Sequence, residues 1–246
     1  MKQYKANFNF FDEIDNPKKA YWLGFIWSDG YVAKRKRLSS SGKTRIEYNL
    51  KLSVQESDAG HVQKFLEDIE SNYPVKFYKT NGFEFSQREA RAFVTNLHMG
   101  SLLYEHYGIV PKRHDVSKIL AIIPENLCRY FILGVFDADG SFSEYSGEYG
   151  GKMRVSFGGS QELLNFIESI LIKEGIAQKQ NRKLIVRHEG KDGNWRSIAF
   201  SGIPQASKVL NWLYKDSEIH LDRKYEKYLS LKLLREERMP NWANRK

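Results

Sequence analysis

The sequence predicts an α+β fold composed of two similar halves, residues 1–123 and 124–246. Three observations support this prediction. An apolar helical segment ending in Asp-Gly occurs twice, the same order of predicted elements follows each copy, and several strand segments alternate polar and apolar residues, as in a sheet with one buried face. A constant offset of 110 residues pairs Gly24 with Gly134, Asp29 with Asp139 and Gly30 with Gly140. We therefore expect the element order αββαββα in each half.

In the first half, a helix is predicted over residues 17–28, capped by Asn16. An alternating strand covers residues 44–53, with Tyr48 and Leu50 on one face and polar side chains on the other. The further predicted elements are a helix capped by Ser57 or Asp58 and closed by Tyr73-Pro74, a hairpin of residues 75–79 and 83–86 around Asn81-Gly82, and a helix at residues 89–106.

A connecting segment at residues 111–118 leads to the second half, where the same order is predicted again. Its elements are a helix at residues 124–138, strands at 141–145 and 154–157, an amphipathic helix at 161–173, a hairpin of 182–188 and 195–200, a helix at 204–214 and a basic segment at 221–238.

Composition narrows the class of partner. The 246 residues contain 39 Lys and Arg against 30 Asp and Glu, a formal net charge of +9, which predicts a polyanionic partner without separating nucleic acid from a membrane surface. No segment reaches the roughly 18 apolar residues of a membrane span, and no signal-peptide core is present. One cysteine, Cys128, excludes an internal disulfide. We expect a soluble protein of a reducing compartment, in the cytoplasm, an organelle or a phage host, and not a secreted one.

The candidate catalytic and metal-binding residues are the aspartates at the two repeated helix ends. An aspartate is unfavourable at a helix C-terminus, and a glycine in mid-helix costs about 1 kcal/mol and indicates close backbone approach. If the two helices pack through Gly24 and Gly134, then Asp29 and Asp139 meet, and two such charges about 4 Å apart repel by about 1 kcal/mol in water and more at lower dielectric. A divalent cation removes this repulsion, and Mg²⁺ suits one or two carboxylates combined with phosphate oxygens. The alternative is that each Asp-Gly is an ordinary turn device.

The segments WLGFIWSDG, residues 22–30, and ILGVFDADG, residues 132–140, resemble the two motifs of a single-chain LAGLIDADG homing endonuclease. The resemblance implies two pseudo-symmetric halves with the motif helices at their interface and two antiparallel sheets forming a saddle over DNA. It implies a monomer that cuts both strands of a long target with Mg²⁺, in the homing of an intron. The family's metal ligand corresponds to Asp29 and Asp139, whereas Asp137 is matched by Trp27 and is secondary.

The resemblance also implies a basic residue near each scissile phosphate. Arg113 and Arg223 correspond through the offset of 110, and Lys112 and Lys224 beside them are alternatives that could stabilise charge on the phosphate. Simple phosphate clamping or solvent exposure explains each of them equally well. Asp58 and Gln161 are weaker candidates for positioning a water, since both also serve as helix caps.

Candidate DNA contacts lie on the strands, because a two-stranded ribbon fits the major groove. The alternative for each is an ordinary solvated sheet face. The candidates are Arg35, Arg37, Arg45, Asn49, Lys51, Lys152, Arg154, Arg182, Arg187 and Arg196.

Three functions remain open at this stage. The first is a DNA endonuclease acting on double-stranded DNA. The second is an intron RNA maturase of the same fold, in which the two aspartates are dispensable. The third is a catalytically silent DNA-binding protein, against which the presence of both aspartates argues.

Overall fold

The computed structural model describes residues 4–38, 42–79, 88–111, 113–114, 116–147, 150–178, 185–188 and 195–238. Within these ranges, every helix is too short or too polar to span a bilayer. The fold is α+β, as the sequence predicts, with two four-stranded antiparallel sheets packed against helices.

The first half begins with helix α1, whose N-terminus is fixed by the Asn16 side chain accepting a hydrogen bond from the Lys19 amide at 3.1 Å. A 3₁₀ turn lies at Glu56–Asp58 and a π-helical turn at Leu102–His106. The elements are α1 (Pro17–Asp29), β1 (Gly30–Leu38), β2 (Thr44–Gln55), α2 (Ala59–Asp68), β3 (Lys76–Lys79), β4 (Arg88–Thr95) and α3 (Leu97–Ser101). The strands are ordered β1-β2-β4-β3.

A short connection and the second half complete the chain. The connection consists of β5 (Ile109–Val110), β6 (Arg113–His114) and α4 (Ser117–Leu120). The second half contains α5 (Cys128–Asp139), β7 (Ser141–Gly147), β8 (Gly150–Gly159), α6 (Gln161–Lys173), β9 (Ile185–His188), β10 (Trp195–Ser201), α7 (Ile203–Tyr214) and α8 (Asp222–Arg238). Its sheet is ordered β7-β8-β10-β9, so both sheets have the same topology.

The helix that we expected at residues 89–106 is wrong for its first third, which forms strand β4. Ala90, Ala92 and Val94 are buried and alternate with partly exposed residues, which is the period of a strand. Glutamate, alanine and arginine in this segment favour a helix, but pairing with β2 and β3 overrides that preference. The predicted partner strand at residues 83–86 and the Asn81-Gly82 turn lie outside the described residues.

The core centres on the contact between α1 and α5, which packs the two halves together. A Cβ atom on Gly24 would lie 2.1 Å from the carbonyl oxygen of Phe131, and one on Gly134 would lie 2.0 Å from that of Tyr21. Even an alanine would therefore force the helices apart. Phe131 occupies the position in the second half that corresponds to Tyr21 in the first, at the same offset of 110 residues, so the two close contacts are equivalent. The pseudo-symmetry predicted from the sequence therefore holds for the motif helices.

Candidate active site and nucleic-acid interface

The two motif helices end in the carboxyl groups of Asp29 and Asp139. Asp29 is partly buried, and burial raises its pKa to about 7, with the charge of Asp139 contributing next. Burial also raises the pKa of Asp139, although its side chain remains accessible to solvent. Neither helix has a basic residue in its last turn to offset the carbonyl dipoles there. Asp29 and Asp139 therefore stand at the C-terminal ends of α1 and α5, where no basic residue of the same helix offsets them.

Lys224 of helix α8 supplies a cation to this site from elsewhere in the chain. Its Nζ donates to three carbonyl oxygens at the end of α5, those of Phe136 at 2.6 Å, Asp137 at 2.8 Å and Gly140 at 2.6 Å. The side chain is only 6% exposed, and burial lowers its pKa to about 8. An ammonium group has three donors. All three are used here, so Lys224 neutralises the helix end instead of presenting a free donor to a phosphate.

Arg223 forms an ion pair across the two halves. Its guanidinium donates to both carboxylate oxygens of Asp58 at 3.1 to 3.3 Å, and Gln55 donates to the same carboxylate at 2.9 Å. The charge of Asp58 in turn raises the pKa of Asp29, which places this pair next to the site. Arg223 and Asp58, two separate candidates from the sequence, therefore bind each other.

Gln161, the weaker candidate in the second half, is not the helix cap that we expected, because Ser160 caps α6 by accepting a hydrogen bond from the amide of Leu163. It stands at the first position of α6, where its Oε1 accepts a hydrogen bond from Arg196 and its Nε2 donates to Asn165 at 2.7 Å. The two halves thus differ, with an acid at Asp58 and an amide here.

Asp137, a secondary candidate from the sequence, accepts three hydrogen bonds with its carboxylate. It is 1% exposed, and its carboxylate accepts hydrogen bonds from the hydroxyls of Tyr21 at 2.9 Å and Tyr214 at 2.8 Å and from the amide of Leu221 at 2.8 Å. Burial raises its pKa to about 6, while Lys224 opposes the rise. Nothing in the sequence around Asp137 indicates these partners, because two of them come from the far end of the chain.

His61 completes this buried network as a neutral group. Its Nε2 lies 2.9 Å from the Tyr21 hydroxyl, which already donates its proton to Asp137. The Nε2 atom must therefore carry the hydrogen and donate to the tyrosine oxygen. Burial lowers the pKa of His61 to about 3, in agreement with an uncharged ring.

The open face of the first sheet carries the predicted basic side chains. Arg45, Asn49 and Lys51 alternate with core-facing residues of β2, and Arg35 and Arg37 of β1 pair with residues on the same open face. Aromatic rings are interleaved with these cations. The Lys51 Nζ lies 5.4 Å from the centroid of the Tyr31 ring, and Arg91 lies 4.6 Å from that of Tyr78. Stacked cations and rings of this kind are typical of nucleic-acid interfaces.

The predicted DNA contacts of the second sheet lie on two different faces. Lys152 and Arg154 alternate with the buried Met153 and Val155, so they lie on the open face. The Arg154 Nε is sheltered from solvent and has no hydrogen-bond partner among the described residues. Arg196 differs from the prediction, because it shares strand parity with the core-facing Ile198 and bonds to Gln161 instead of pointing to the open face.

Four predicted residues lack a described side chain. Lys112 and Arg182 lie outside the described residues, and Arg113 and Arg187 are described only as backbone positions of β6 and β9.

The donor set fits a hard divalent cation that shares its coordination with substrate. Among the described residues, no group of three or more His, Cys, Asp or Glu encloses a metal position. Magnesium in proteins keeps several waters and binds through one or two carboxylates together with phosphate oxygens. Asp29 and Asp139 match this requirement, and burial raises the pKa of each carboxyl although the charge of Lys224 lowers it.

Comparisons with known proteins agree with this fold. A model of the LAGLIDADG-like domain family matches residues 126–210. The whole structure is similar to the LAGLIDADG homing endonuclease I-GzeII in complex with its DNA target, with a TM-score of 0.57 at 10% identity over 91% of this chain and 92% of that chain. It is also similar to I-SmaMI bound to cleaved DNA, with a TM-score of 0.56 at 13% identity over 92% and 91%. A search of curated proteins by sequence found no match.

The second half thus contains a LAGLIDADG-like domain. The chain as a whole has the fold of the single-chain LAGLIDADG homing endonucleases, which confirms the resemblance drawn from the two motifs.

Proposed function

We propose that this protein is a site-specific endonuclease that hydrolyses both strands of double-stranded DNA at a long, asymmetric target. The observation that carries the proposal is that Asp29 and Asp139 end two glycine-packed helices and that the charge of Asp139 raises the pKa of Asp29, which indicates that the two carboxyls lie near each other. Two sheets of identical strand order flank this joint, and their open faces carry arginine, lysine and asparagine. The DNA-bound proteins of the same fold support the choice of substrate.

In this proposal Asp29 and Asp139 hold Mg²⁺ or another divalent cation against the scissile phosphates. When bound, such a cation activates water as a nucleophile and stabilises the leaving oxygen. The chain's own contribution is to fix both carboxylates on rigid helices and to leave Asp139 open to solvent, where substrate can reach it. Lys224 limits the excess negative charge before substrate arrives.

Binding in this proposal follows from the sheets. Lys51 and Arg45 contact the phosphates and base edges of one half-site, and Arg154 and Lys152 contact those of the other. A monomer suffices, because one chain supplies both motif helices, and a division at residues 123 and 124 assigns one motif to each half. Homing of an intron is the biological role that this proposal implies.

Cleavage of a randomised duplex library tests the proposal. With Mg²⁺, sequencing of cut ends should recover one long recognition sequence, and Asp29→Asn and Asp139→Asn should each abolish double-strand cleavage while DNA binding persists. Asp15→Asn is a matched control, because this acid is on the surface and bonds to Lys19. A library left intact by the unsubstituted protein would contradict the proposal, as would normal cutting by either variant.

A further inference from the structure

We propose that Asp137 is a positioning residue that holds residues 219–224 against the two motif helices and so places Lys224 and Arg223 beside the paired carboxylates. What these cations do for catalysis rests on the function proposed above. Their placement rests on contacts alone, and the experiment below separates the two.

The contacts of Asp137 join three distant parts of the chain. Tyr21 belongs to α1, Tyr214 ends α7, and Leu221 directly precedes α8, and each donates one hydrogen bond to the same buried carboxylate. A carboxylate with 1% exposure requires such partners, because burying a charge without them is very costly. The bonds therefore fix the relative positions of α1, α7 and the start of α8.

The position of Leu221 determines the position of Lys224. The carbonyl oxygen of Leu221 accepts hydrogen bonds from the amides of Lys224 and Tyr225, both at 3.0 Å, and these bonds form the first turn of α8. The amide of the same residue donates to Asp137. Leu221 is thus held from both sides, and one turn later the Lys224 ammonium reaches the end of α5.

The arrangement occurs only in one half, and the sequence explains why. Displacement by 110 residues maps Asp137 onto Trp27, Tyr21 onto Phe131 and Leu221 onto Pro111. These counterparts have no carboxylate, no hydroxyl and no amide hydrogen, respectively. The acid and two of its three donors are therefore replaced together, which is expected if they work as a unit.

Two substitutions separate hydrogen bonding from charge. Asp137→Asn keeps an oxygen that can accept from Leu221 and Tyr21, and its amide can donate to the Tyr214 oxygen. Asp137→Leu removes every acceptor and leaves the Leu221 amide without a partner. If positioning is the role, the asparagine variant should behave nearly as the unsubstituted protein and the leucine variant should not.

Hydrogen exchange measures the positioning directly. In the full-length protein without DNA or metal, Asp137→Leu should accelerate amide exchange selectively in peptides covering residues 219–225, while peptides from the sheets keep their rates. Asp137→Asn should leave all peptides nearly unchanged. If Asp137→Leu does not fold, Tyr214→Phe removes one donor from the same carboxylate and should give a smaller acceleration in the same peptides.

Cleavage kinetics measure the consequence. Asp137→Leu should lower the single-turnover rate by about 10- to 100-fold, the usual loss when an outer support of a metal site is removed, and DNA affinity should be retained. Leu164→Ala, in the core of α6 and away from this network, serves as a control that lowers stability without changing the contacts of Asp137. Its cleavage rate should be unchanged well below its melting temperature.

Uniform acceleration of exchange, or no acceleration at residues 219–225, would overturn the positioning role. An equal loss of rate in Leu164→Ala would also overturn it, since stability alone would then explain the effect. If exchange accelerates selectively but the unsubstituted protein cuts no DNA, positioning stands and the endonuclease proposal fails.

Discussion

Replacing Asp29 with asparagine should stabilise the protein in the absence of metal while destroying the proposed activity. The pKa of the carboxyl rises from 3.8 to about 7 on folding. The folded state therefore binds the proton more tightly than the unfolded chain, and stability falls as pH increases between these two values. At 1.36 kcal/mol per pKa unit, the penalty above pH 7 is at most about 4 kcal/mol. Asparagine is nearly isosteric and carries no charge, so Asp29→Asn avoids this penalty.

Urea unfolding with a chelator present checks this expectation. At pH 8 the variant should be more stable than the unsubstituted protein by up to about 4 kcal/mol, and the difference should shrink toward pH 4. Asp15→Asn is the control, because the hydrogen bond from Lys19 lowers the pKa of the Asp15 carboxyl and its removal should bring no gain at pH 8. The reasoning would be refuted if Asp29→Asn were no more stable than the unsubstituted protein at pH 8, or if its gain in stability were independent of pH.

Metal addition should narrow this difference in stability. A cation at 100 times its dissociation constant stabilises the folded state by about 2.7 kcal/mol. The unsubstituted protein should gain this stability on titration with Mg²⁺, and Asp29→Asn should not. Equal gains in both proteins would indicate that the cation binds elsewhere.

Three further predictions concern the surroundings of the site. Gly24→Ala and Gly134→Ala should each lower the free energy of unfolding by about 1 to 3 kcal/mol, despite the better helix propensity of alanine, because the new Cβ overlaps a backbone carbonyl. Urea midpoints measure this loss, and a stabilised variant would contradict the close packing of the two helices. Asp58→Ala should cost about 1 kcal/mol, because water can solvate the Arg223 side chain, which is 53% exposed, once its carboxylate partner is removed. A double-mutant cycle with Arg223→Ala should return a favourable coupling energy, whereas zero coupling would exclude the ion pair. Burial lowers the pKa of Lys224 to about 8, so between pH 8 and 10.5 the unfolded chain binds more protons than the folded state, and the stability contribution of this residue should increase as pH rises. The difference in urea stability between Lys224→Met and the unsubstituted protein should therefore vary with pH in that window. A constant difference would argue against the lowered pKa.

The local rules of the chain were sufficient to predict the motif helices and their terminal acids. Gly24, Gly134, Asp29 and Asp139 stand out because a glycine inside an apolar helix and an acid at its end are both unfavourable without a compensating partner. Duplication at a fixed offset then indicated that the partner of each helix is the other. The alternation in β2 likewise predicted which side chains face away from the core.

Strand β4 shows where local reasoning failed. Its residues favour a helix by propensity, and only pairing with β2 and β3 makes it a strand. Arg196 is a different case, because it shares strand parity with the buried Ile198 and Phe200, so alternation within β10 already places it on the core-facing side.

The sequence by itself determined the two motif helices with their terminal acids and the basic character of the strands, because each follows from periodicity and charge within a few neighbouring residues and from the repeat at an offset of 110. Only the tertiary structure decided which cations lie near those acids. Lys224 lies 87 residues from Asp137, whose carbonyl oxygen it binds, and Arg223 lies 165 residues from Asp58, whose carboxylate it binds. Contacts over such separations depend on how the helices pack and where α8 begins, and those positions are set by the buried carboxylate of Asp137, whose tyrosine and amide partners no local pattern reveals.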